Sequence, residues 1–102
     1  MNEKAREEII EALKKVEHPE IAVNLVDLGM ILDVGVEDNT ANIALGFPVE
    51  TVPAVVRDAV VNSILPVVEG LGYTPKILYF MMPEEDREKF FAAAKANWKG
   101  AI

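Results

Sequence analysis

From Met30 to Phe47 the chain alternates apolar and other residues on both sides of a two-residue step, Asp38-Asn39, and this pattern restricts the available folds most. Met30, Leu32, Val34 and Val36 fall on one face, and Ile31, Asp33, Gly35 and Glu37 on the other. Ala41, Ile43, Leu45 and Phe47 resume the alternation beyond the step. A period of two is that of a half-buried strand, and Asp-Asn supplies turn chemistry. Residues 30–47 are therefore predicted to form a β-hairpin.

The flanking segments have a helical period. Ile9, Leu13 and Val16 stand at i, i+4 and i+7 with Ile10 beside them, while Glu3, Glu7, Glu11, Lys14 and Lys15 can face water, which predicts helix 1 within residues 1–17. Pro19 stops it, because proline lacks the N–H and biases His18 away from helical dihedrals. Val23 to Leu28 is an apolar linker ending at Gly29, where a positive φ is cheap. After a loop from Phe47 to Val52, Pro53 suits the first turn of helix 2, expected over residues 53–69 with Val56, Ala59, Val60, Ile64 and Val67 as its apolar stripe. Pro66 lies inside that pattern and predicts a kink or an early end; Gly70-Leu71-Gly72 closes the element.

Residues 76–82 are dense in β-formers and read as a strand buried on both faces. Beyond Pro83, Glu84-Glu85-Asp86 places negative charge at the start of a last helix, residues 84–98, whose apolar side carries Phe90, Phe91, Ala94 and Trp98. The order α-β-β-α-β-α predicts one α/β (α+β) two-layer domain over residues 1–102, a three-stranded mixed sheet with helices packed on one face.

Composition narrows the function. With 17 acidic against 10 basic residues the net charge is −7, a field that repels phosphate backbones and argues against nucleic acid. The element order is shared with KH domains, but the basic Gly-X-X-Gly loop those require is missing. The longest apolar runs, such as Ile77 to Met82, fall far short of the roughly 20 residues of a membrane helix. Met1 to Glu8 is charged and shows no secretory signal, so a cytoplasmic location is expected. The chain has no cysteine, which removes thiolate catalysis and any cysteine-ligated cluster.

Few side chains offer chemistry. His18 and Glu20 carry metal-ligating groups, but a lone histidine in a proline-containing loop is more often solvated, and two ligands are fewer than a metal normally takes. Asp27, just before Leu28-Gly29, is expected to bond local backbone N–H groups. Glu50 and Thr51 at the helix 2 entrance read as dipole charge and N-cap. Phe80, Met81 and Met82 read as core, with an interaction patch as the alternative. Phe90, Phe91 and Trp98 either dock on the sheet or form a dimer contact. No Ser/His/Asp set, phosphate-cradling glycine loop or diagnostic metal motif is present, so no cofactor and no enzymatic turnover are expected.

The block Val16-Glu17-His18-Pro19-Glu20-Ile21-Ala22-Val23-Asn24-Leu25-Val26-Asp27-Leu28-Gly29-Met30-Ile31 resembles the signature of the PaaD/SufT-like iron–sulfur cluster assembly family, which reads roughly Asp-Pro-Glu, an Asn-containing apolar link, then Val-Asp-Leu-Gly-hydrophobic-Ile. Pro19 and Glu20 match the end of Asp-Pro-Glu, with His18 in the Asp position, and Asp27, Leu28 and Gly29 match Asp-Leu-Gly. The resemblance covers roughly residues 5 to 82 and implies the same α/β architecture. It also implies a site that gathers the carboxylates after helix 1, threonines after strand 2 and a reactive cysteine entering helix 2. Where the family reads Leu-Thr-Thr-Pro-X-Cys-Pro, this chain reads Leu45-Gly46-Phe47-Pro48-Val49-Glu50-Thr51-Val52-Pro53. One register puts Val52 in the cysteine position and the other Glu50; both lose the thiol.

The family-site positions are thus His18, Glu20, Asp27, Glu50, Thr51 and Val52. The expected function is a non-enzymatic accessory or scaffold factor in iron–sulfur protein maturation, a cysteine-less member. It would contact an iron–sulfur assembly component or client protein, as a homodimer or as a heteromer with a cysteine-bearing paralogue. The alternatives are a metal-binding module using His18, Glu20 and Glu50, or a diverged structural domain with no retained site.

Overall fold

A computed structural model describes residues 3–49 and 52–98, arranged as α1 (Glu3–Leu13), β1 (Ile31–Glu37), β2 (Thr40–Phe47), α2 (Ala54–Gly70), β3 (Thr74–Met81) and α3 (Glu84–Asn97). The strands lie in the order β1-β2-β3, with β1 antiparallel and β3 parallel to β2. This is the mixed three-stranded sheet that the alternation and the crossover helix require.

Helix α1 buries Ile9 and Leu13, one turn apart, and ends short of residue 17. The N–H groups of Lys15 and Val16 bond three residues back, to Ala12 and Leu13, a tightening of the last turn. The backbone beyond is taken by another segment: Leu25 N–H donates to the Val16 carbonyl at 2.9 Å, and Glu17 bridges Asn24. Competition for those peptide groups ends the helix before Pro19 can.

The hairpin closes at Asp38-Asn39, with Glu37 paired to Thr40 and Asp38 at φ 55°, which a short polar side chain tolerates. One residue departs from strict alternation. Ile31 pairs with Leu45 and Asp33 with Ala44, so Leu32 is an extra residue in β1. This bulge takes Leu32 out of the expected core stripe and sets it over Gly46 on the opposite side of the sheet, while Ile31 packs against the core instead. A Cβ on Gly46 would lie 2.9 Å from Leu32 Cγ.

Helix α2 runs through Pro66 to Gly70 without the predicted early end. Its buried residues are Val60, Ile64 and Val68, spaced four apart, so the stripe is rotated from the expected one: Ala59 is exposed and Val67 half-buried. Ile64 and Val68 anchor the helix on both sides of the proline, which itself faces solvent. These residues meet Ile9 and Leu13 of α1 and the inner face of the sheet, Val34, Ala41, Ile43, Leu45 and Phe47, in one apolar core.

Strand β3 corrects the sequence reading. It lies at the sheet edge, not its centre, and Leu78, Tyr79, Phe80 and Met81 are 38–55% exposed. From the run expected there, only Met82, just past the strand, is buried, while Ile77 packs half-buried against the core. Helix α3 contributes Phe90 to the shared core and leaves Phe91 and Trp98 exposed. It buries Phe90 and Ala94 against the loop after α1: Ala22 N–H donates to the Asn97 carbonyl at 2.8 Å, and Ile21 bridges Trp98. No helix among the described residues is long and apolar enough to cross a membrane.

Candidate functional site

The N-terminal end of α2 separates two clefts. One, of about 370 Å³, is bounded by His18, Glu20, Met30, Val52, Phe90 and Trp98 among others. The second, of about 450 Å³, runs between α2 and β3 past Arg57, Asp58, Tyr79, Phe80 and Met81. Phe47, Val49 and Val52 form walls of both. They come together because β2 delivers Phe47 to the end of the sheet just as the chain turns into α2.

His18 is 4% exposed, not solvated as a loop histidine was expected to be. Its Nδ1 accepts the Glu20 N–H at 2.9 Å, and its backbone N–H donates to the Val23 carbonyl at 3.1 Å. The ring meets Phe90 edge-on at 6.3 Å. An acceptor nitrogen carries no proton, so this geometry specifies the Nε2–H tautomer. The imidazole therefore shapes the loop after α1 and seats α3, and its Nδ1 lone pair is already used. Glu20 is half-buried at the cleft wall, where Pro19 and the His18 contact hold its backbone.

Asp27 is not part of this arrangement. Its carboxylate accepts from Asn24 Nδ2 at 2.8 Å, and its N–H donates to Asn24 Oδ1 at 2.8 Å. The pair closes a local turn leading to Gly29, whose φ is 79°. The local structural role expected for Asp27 is present, but Asn24, and not a backbone N–H, meets its carboxylate. Asn24 was missed as the organiser, although an Asn three residues before an Asp is the signal for such a turn.

Glu50 and Thr51 lie outside the described residues. The N-cap position of α2 is Pro53, with φ −56° and ψ 140°, and no side chain among the described residues caps the helix there. Val52 immediately precedes it, half-buried between the two clefts. Gly46 and Phe47 hold the positions where the resemblance places threonines, and Leu32 closes over the first of them.

The family model described as iron–sulfur cluster assembly protein matches residues 6–72, well over half of the chain. The chain belongs to this iron–sulfur cluster assembly family. The match ends just before β3, so the exposed edge strand and α3 are outside it. No curated protein matches the chain significantly. The crystal structure of a domain of unknown function, DUF59, from Bacillus anthracis superimposes with a TM-score of 0.71 at 20% identity, covering 88% of this chain and 92% of that one. That likeness spans more of the chain than the residues of the family match.

Set against its family, the donor inventory of this member is sparse. It has no cysteine, and no three His, Asp or Glu side chains are grouped for a metal ion among the described residues. An iron–sulfur cluster as cargo would need thiolate ligands, and these residues do not supply them. The cleft toward α3 instead offers apolar walls and an exposed aromatic rim, with Phe91 48% and Trp98 47% exposed. Such a surface suits apolar side chains of another protein.

Proposed function

We propose that this protein is a non-enzymatic accessory or scaffold factor in iron–sulfur protein maturation, acting through protein contact and supplying no cluster ligand. The observation that carries the reading is the α2 entrance: Val52, a candidate for the family's cysteine position, stands between two open clefts, the one toward α3 with largely apolar walls. A domain that had kept only the fold would be expected to fill this site. The metal-module alternative of His18, Glu20 and Glu50 gains no support: the Nδ1 of His18 is bonded to Glu20 N–H, and Glu50 lies outside the described residues.

The test has two arms. Anaerobic reconstitution of the purified protein with iron and sulfide is expected to give no stable cluster and no characteristic visible absorption. Titration with a purified cluster-carrier protein, followed by Trp98 fluorescence, is expected to show saturable binding that Val52→Lys weakens at least tenfold. A bound cluster, or binding indifferent to Val52→Lys, would overturn the proposal.

A further inference from the structure

The outer edge of β3 has a backbone pattern that can match itself. Thr74 N–H donates to Asn39 and Met82 N–H to Phe47, so the even-numbered residues direct their peptide groups toward β2. Ile77, Tyr79 and Met81 therefore direct theirs outward, to the free edge. Pro75 and Pro83, equally far from Tyr79 in sequence, lack an N–H and end the bonding row on both sides. No backbone bond from another described segment reaches this edge.

Edge strands in soluble proteins are normally short, charged or covered, because an open apolar edge recruits another strand. Here Pro75 and Lys76 blunt only the beginning. The residues after Ile77 are apolar on both faces: Leu78 and Phe80 on the open side of the sheet, Tyr79 and Met81 on the helix side, all 38–55% exposed.

We propose that β3 pairs antiparallel with β3 of a second copy of this chain, about a two-fold axis at Tyr79, joining two sheets into one of six strands. In that register Tyr79 faces Tyr79 of the second copy, and Ile77 faces its Met81. Each of Ile77, Tyr79 and Met81 donates one backbone hydrogen bond and accepts one. Leu78 then lies opposite Phe80 in the closely spaced non-hydrogen-bonded pairs, where cross-strand apolar contact is strongest.

The charges suit a second copy better than an arbitrary strand. The antiparallel register brings Lys76, near the start of the strand, to the end of the second copy's β3, where α3 opens with the acidic run Glu84-Glu85-Asp86. The two-fold makes that approach twice, as an isologous interface must. The net charge of −7 opposes approach at long range, but screening at physiological salt limits that repulsion to about 8 Å. Tyr79, Phe80 and Met81 also wall the cleft between α2 and β3, so pairing brings two such clefts to one composite surface. This inference stands on β3 alone, independent of the role proposed in cluster maturation.

Sedimentation across micromolar to sub-millimolar concentration is expected to show a monomer–dimer equilibrium for the native chain. Phe80→Lys and Tyr79→Pro are each expected to shift it at least tenfold toward monomer with unchanged far-ultraviolet circular dichroism. Proline is tolerated at an edge position whose N–H points outward. The register is tested separately, because the chain has no thiol of its own. Tyr79→Cys should cross-link under mild oxidation, its Cα atoms being about 5.5 Å apart in a hydrogen-bonded pair. Lys76→Cys should not, its copies being separated by about 20 Å along the strands. A native chain monomeric throughout, equal cross-linking at both positions, or an edge occupied only by foreign extended peptides would overturn the proposal.

Discussion

Gly46 shows how one side chain sets the character of the site. It is buried because Leu32, displaced by the bulge, lies directly over its Cα. A methyl group there meets Cγ, Cδ1 and Cδ2 of Leu32 at 2.9 to 3.0 Å, so moving only a terminal methyl would not relieve it. Gly46→Ala is expected to destabilise by about 1–3 kcal/mol, the usual range for overpacking. Adding Leu32→Ala should recover part of that loss, and the coupling can be read from a double-mutant cycle in urea. His18 is the other decisive residue. A loop histidine looks solvated from its polar neighbours, but Phe90, far along the chain, covers it.

Among the elements, α2 carries the clearest local conflict. Pro66 removes the donor for the Asn62 carbonyl, yet the helix continues to Gly70 because Ile64 and Val68 are buried on either side. Pro66 itself is exposed, so a smaller side chain leaves no cavity. Pro66→Ala is expected to stabilise by about 2–2.5 kcal/mol: an interior proline costs about 3 kcal/mol, offset in part by roughly 0.4–1 kcal/mol from greater unfolded-chain freedom. The transition midpoint in urea should rise with an unchanged slope. Strand β3 makes the opposite point. Its apolar composition is that of a central strand, but with no fourth strand among the described residues it lies at the edge.

For the whole molecule, the core consists of apolar side chains from α1, α2 and the inner sheet face, with Met82, Phe90 and Ala94 at one end. No disulfide can form, and the described residues hold no three-ligand metal group. The thermal unfolding midpoint is therefore expected to be unchanged by EDTA or by a thiol reductant. A drop of several degrees with EDTA would revive the histidine–carboxylate metal reading.

The hairpin, helices α1 and α2 and the element order were legible in the sequence because each rests on a local period and local punctuation. Alternation around Asp38-Asn39, four-residue spacing in α1 and α2, and Gly29 act within a few residues. The family signature was legible for the same reason, being contiguous over residues 16–31. What had to come from the tertiary structure depends on contacts between distant segments. The burial of His18 under Phe90, the seat of α3 on the loop after α1, the departure of Leu32 from the core stripe and the edge position of β3 are all of this kind. Sequence established that the thiol is missing. Only the packing of β2, α2 and α3 set Val52 between two clefts, the one toward α3 with largely apolar walls.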